Sequence, residues 1–124
     1  MATRQEVEKL VDSMAAEEPA AADKTARKID AQFASKLEQL EADGTVPREM
    51  IERLKVLWKM FHAEAEMPWK TRALVMTALG YFVAPFDLIP DLAGKPGYFD
   101  DKMVVNVVWT RLGDAVEPFG GTPS

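Results

Sequence analysis

A chain of 124 residues with 48% apolar content holds enough hydrophobic material for one modest core and leaves little room for a second independent domain. Its 15 basic and 20 acidic residues give a net charge of -5 and a pI near 4.9, which opposes electrostatic binding to nucleic-acid phosphates. Cysteine is absent, so disulfides, thiolate metal sites, iron–sulfur clusters and cysteine nucleophiles are excluded.

Charges run through Met1 to Glu18 with no apolar stretch between them, so no signal peptide is expected there. Val7, Leu10, Val11 and Met14 recur at helical spacing and predict an amphipathic helix from about Arg4 to Ala16, broken at Glu17-Glu18-Pro19. Ala22, Ala26, Ile29, Phe33, Leu37 and Leu40 form one stripe of a second helix that stops at Asp43-Gly44. Thr45 is placed to cap a third helix with Pro47 in its first turn. Met50, Ile51, Leu54, Leu57, Trp58 and Phe61 form its apolar face, and its end is expected near Met67.

From Trp69 the pattern changes. Ala73 to Ala84 is apolar all round, as in a central helix covered on several sides, and Pro85 disfavours helical geometry at Ala84. Val104, Val105, Val108, Trp109 and Leu112 place a last helix over about Lys102 to Val116, with Asp100 and Asp101 as its N-terminal cap. The tail Pro118 to Ser124, with Gly120-Gly121 and Pro123, reads as flexible or loosely attached. The expected fold is all-α: a small bundle of about five helices around an apolar helical hairpin. Its divisions are N-terminal amphipathic helices over 1–45, a helical domain over 46–117 and a tail over 118–124. The longest uncharged run, Ala73 to Phe86, is fourteen residues. A bilayer-crossing helix needs roughly 17–25, so a buried core helix is expected and no transmembrane span.

Three landmarks occur in order: Pro68-Trp69-Lys70, then Pro85-Phe86-Asp87-Leu88-Ile89-Pro90-Asp91, then Gly97-Tyr98-Phe99-Asp100-Asp101. This set, spread over about Met67 to Leu112, resembles the YkvA-like domain, a small bacterial helical domain of unknown function. The resemblance implies a hydrophobic hairpin and the membrane association often assigned to such relatives. Lys95 departs from it, since relatives usually carry apolar residues in that loop.

An antiparallel hairpin of the last two helices gathers Asp87, Asp91, Asp100 and Asp101 at one end. Asp100 and Asp101 suit a helix N-terminus, where carboxylates accept backbone N–H groups. Asp87 and Asp91 follow a helix C-terminus, where the dipole disfavours negative charge, and two readings stand for them. One is a pair of local Asx turns. The other is a magnesium or calcium site with all four aspartates as ligands. An EF-hand is excluded, because a loop starting at Asp91 puts Ala93, Lys95 and Lys102 at its third, fifth and twelfth positions.

Lys70 and Arg72 open the apolar helix at its unfavourable end and are expected to pair with Asp114 or Glu117. With Trp69 they form the alternative contact patch for a membrane or partner. His62 is the only histidine and cannot build a multi-histidine zinc site, so it is expected at or near the surface. Ser13, Ser35 and Ser124 lie on surface helices and the tail, and Gly94-Lys95-Pro96-Gly97 lacks the spacing of a phosphate loop.

Four acids without a companion base or nucleophile are an incomplete catalytic set. The leading expectation is therefore a non-enzymatic interaction domain with a protein partner, no nucleic acid and no cofactor, in the cytoplasm or peripheral at the inner membrane. The rivals are a domain or small enzyme using magnesium or calcium on the aspartates, and a peripheral membrane module.

Overall fold

The computed structural model describes residues 4–63, 67–84 and 98–123. In chain order these form α1 (Arg4–Ala16), a 3-10 turn (Pro19–Ala22), α2 (Asp23–Asp43), α3 (Arg48–Phe61), α4 (Trp69–Val83), α5 (Tyr98–Leu112) and a second 3-10 turn (Gly113–Phe119). Five α-helices and no strand among the described residues make this an all-α bundle, as the periodicity implied.

α1 buries Val7, Val11 and Met14 of the expected stripe, with Leu10 partly buried beside them. α2 carries Asp23 in its first turn, where the dipole favours it, and buries Ile29, Phe33 and Leu40 along one face. It stops at Gly44, whose φ of 73° is left-handed and strained for any residue with a Cβ. A Cβ added there would meet nothing within 4 Å, so the cost of replacement is purely conformational. Gly44→Ala is expected to lower stability by about 1 kcal/mol, read as an unchanged slope and a lower midpoint in urea.

α3 differs from expectation at both ends. Thr45 does not cap it: its backbone N–H donates to Asp43 Oδ1 at 3.1 Å and its hydroxyl bonds the same carboxylate, so the side chain is held by the preceding helix. Pro47 takes the N-cap place with extended backbone, and Arg48 is the first helical residue. At the other end the helix stops at Phe61, well before Met67. There the chain tightens through Ala63 N–H to Met60 O at 3.2 Å, and Arg72 donates from α4 to the Phe61 carbonyl at 3.2 Å. A side chain from a distant helix thus satisfies a carbonyl that the terminus leaves open.

α4 is the centre of the molecule. Every residue from Ala73 to Val83 except Leu74 is buried, and α1, α2, α3 and α5 all touch it. The buried Thr77 hydroxyl donates to the Ala73 carbonyl at 2.7 Å, which removes its desolvation penalty. Ala84, at φ -149° and ψ 67°, has left the helix, as the following proline requires.

α5 begins at Tyr98, about a turn earlier than expected, so Asp100 and Asp101 lie inside its first turn and not ahead of it. It ends at Leu112, because Gly113 at φ 54° turns the chain into the 3-10 segment that carries Val116. Val104, Val105, Val107 and Val108 are all buried, since α5 meets α4, α1 and α3 together. The tail is not loose over its described residues. Gly121 N–H bonds Val116 O at 3.0 Å, and the Trp109 indole N–H donates to the Thr122 carbonyl at 3.0 Å.

Candidate functional site

Asp87 and Asp91 lie outside the described residues, and Asp100 and Asp101 are placed only as backbone in the first turn of α5. That turn is where a helix favours carboxylates. Among the described residues no group of three or more acidic or histidine side chains is arranged to hold a metal.

Trp69, Lys70 and Arg72 do not share one exposed patch. Lys70 is exposed, whereas Trp69 packs against the core half-buried, its buried Nε1 without a hydrogen-bond partner among the described residues. Arg72 turns inward, its guanidinium 5.2 Å from the Phe61 ring centroid. Among the described residues no ion pair joins Lys70 or Arg72 to Asp114 or Glu117, because Arg72 is committed to the end of α3.

The bridge to a neighbouring helix is made instead by Arg111 of α5. It bonds Glu8 and, at 2.9 Å, Asp12, both on α1. Hydrogen bonds to Asp12 and Glu8 raise the arginine pKa above its ordinary value. A raised basic pKa adds stability that is complete below the unfolded value and is lost only as pH climbs through the folded one. For arginine that window lies far on the alkaline side, so the group itself brings no titration near neutral pH. Arg111 is 32% exposed and Asp12 70%, so Arg111→Met is expected to lose only about 0.5–1 kcal/mol in urea unfolding, most of it at low salt. A loss above 3 kcal/mol would contradict the solvent-screened reading.

His62 is 45% exposed, with Nε2 3.2 Å from Asp30 Oδ1 of α2. Its ring stands edge-on to Trp58 at 4.1 Å. It therefore joins α2 to α3 at the surface.

The most built polar feature among the described residues lies between α3 and α5. Arg53, 17% exposed, holds Glu49 at 2.8 Å and donates to Asn106 Oδ1 at 2.9 Å. Its guanidinium lies 5.0 Å from the centroid of the Trp109 ring. Two open depressions flank it. One, of about 350 Å³, runs past Pro47, Lys102 and Thr110. The other, of about 450 Å³, runs past Glu52, Val56, Trp109 and the tail. The Glu49–Arg53 spacing of four residues was visible in the sequence, but nothing local pointed to Asn106 or Trp109. A fixed guanidinium, an aromatic face, an amide and exposed carboxylates supply contact chemistry of the kind that anchors protein interfaces.

Residues 71–106, from the first turn of α4 to the middle of α5, match the family described as "Protein of unknown function (DUF1232)". A curated relative, the "Uncharacterized membrane protein YkvA" of Bacillus subtilis, is 42% identical over 43 residues, which is 35% of this chain and 41% of that protein. Together they support a YkvA-like domain of unknown function within the chain, and the second and third landmarks fall inside the matched segment, the first just ahead of it. The chain thus spans under half the length of the curated relative it matches. No solved structure matches the chain. α1, α2 and the whole of α3, with Arg53, lie outside the matched segment.

Proposed function

We propose that the chain is a small non-enzymatic helical interaction domain, with α4 as scaffold and the α3–α5 groove as contact face. The observation that carries this reading is the Arg53–Trp109 pair. Arginine and tryptophan dominate interface energetics, and here Arg53 is held against the buried Trp109 ring beside an open groove. Rigid anchors lose little entropy when a partner docks. A photo-cross-linking residue at the exposed Glu52 tests it, with the exposed Ser35 of α2 as control. The expected result is one discrete adduct in cells from position 52, absent from position 35 and lost when Arg53→Met is added. Equal labelling from both positions would contradict the reading.

The name of the Bacillus relative, a membrane protein, favours a second reading, a peripheral membrane module. No described helix is long and apolar enough to cross a membrane, and α4 is enclosed, so a membrane role would use the surface or require the bundle to open. Flotation with anionic vesicles separates the two: the interaction reading expects the chain to stay in the soluble fraction, and co-flotation would favour the membrane. The cation reading of Asp87, Asp91, Asp100 and Asp101 rests on sequence alone and is tested by a magnesium or calcium titration of their amide resonances.

A further inference from the structure

Residues 120–123 form one wall of the larger groove, seated on Trp109. The Trp109 indole N–H donates to the main-chain carbonyl of Thr122 at 3.0 Å, a contact that any residue at that position would make. One position earlier there is no room for a side chain. A Cβ on Gly121 would stand 2.8 Å from Trp109 Cη2 and 2.8 Å from Val116 Cβ, closer than real contacts allow. The floor of the slot is fixed from below, because Glu49 and Asn106 hold Arg53 against the ring. A cation over the face also polarises the indole and strengthens its N–H as a donor.

A main-chain hydrogen bond for affinity, a slot that admits only glycine for selectivity, and a preorganised floor are the parts of a peptide-binding site. We propose that this seat binds an extended, glycine-bearing peptide of a protein partner and that the chain's own tail fills it in cis. The inference rests on the interaction reading above and names its ligand: a segment with glycine where Gly121 sits and a free carbonyl on the next residue. Arg53 acts through Trp109 and is a positioning residue.

The test uses the full chain with Gly121→Val, whose added side chain drives the tail from the slot. The Trp109 indole N–H resonance is expected to move and its hydrogen exchange to rise at least tenfold while the α4 amides stay protected. A synthetic peptide with the sequence of residues 119–123 should return the resonance to its native position, and the same peptide with alanine for its second glycine should not. Adding Arg53→Met should weaken that rescue and Arg53→Lys should weaken it less. The proposal fails if neither peptide moves the resonance, if the alanine peptide works equally well, or if both Gly121→Val and the milder Gly121→Ala lose the helical fold, which would make the tail part of the core. Cross-linking from position 52 that persists while both peptides fail would leave the interaction domain standing and remove only this ligand.

Discussion

Phe33→Ala is expected to destabilise the bundle by about 3–5 kcal/mol. Phe33 is 2% exposed on α2, stacks on Trp58 of α3 at 4.4 Å and meets the edge of Phe82 of α4 at 5.9 Å. Truncation removes the transferred apolar area, leaves a cavity between three helices and ends two aromatic contacts together. Domains of this size are stable by only about 5–15 kcal/mol, so the variant should sit near its unfolding threshold. Urea unfolding followed by helical circular dichroism checks it. A loss under 1 kcal/mol would mean that α2 is dispensable to the core.

Trp109→Ala is the second large effect, again about 3–5 kcal/mol. The ring is 2% exposed, carries Arg53 on its face, and anchors the tail through Thr122. Removing it leaves the half-buried Arg53 guanidinium over an empty site and frees the tail as well. Trp109→Phe separates these contributions. It keeps an aromatic face under Arg53 and lacks the indole donor, so the tail should be released at a smaller loss of about 1–2 kcal/mol. Tail release is read from the exchange rate of the Gly121 amide, which bonds Val116 in the native chain. Equal losses for the two variants, with the tail still protected in Trp109→Phe, would contradict the assigned role of the indole N–H.

The parts of this fold that were legible in the sequence are those set by local periodicity and local stereochemistry. The two N-terminal stripes face the core, with Val7, Val11, Met14, Ile29, Phe33 and Leu40 buried and Leu10, Ala26 and Leu37 partly so; Gly44 ends α2 in a left-handed conformation, and Ala84 leaves the helix ahead of Pro85. The all-apolar run of α4 announced a helix covered on several sides, and four helices cover it. What escaped the sequence depends on partners distant along the chain. The end of α3 at Phe61 follows from a guanidinium eleven residues on, and the floor of the groove from Arg53 reaching Asn106 across 53 positions. The Gly120-Gly121 tail has the composition of a loose end, yet the missing side chain at Gly121 lets it approach Trp109 closely. The aspartate constellation, the strongest chemical signal in the sequence, falls largely beyond the described residues, so the candidate site moved to a face that sequence patterning had counted only as core and surface.

The central claim is that α4, the apolar helix of the YkvA-like segment, is the enclosed core of a self-contained bundle. Amide hydrogen exchange of the full chain, with and without anionic vesicles, tests it most directly. The α4 amides of residues 76–83 are expected to exchange most slowly of all, at the rate of global unfolding, and to be unaffected by vesicles. Fast exchange in α4 that slows when vesicles are added would show a helix that seeks a membrane, and would contradict the account.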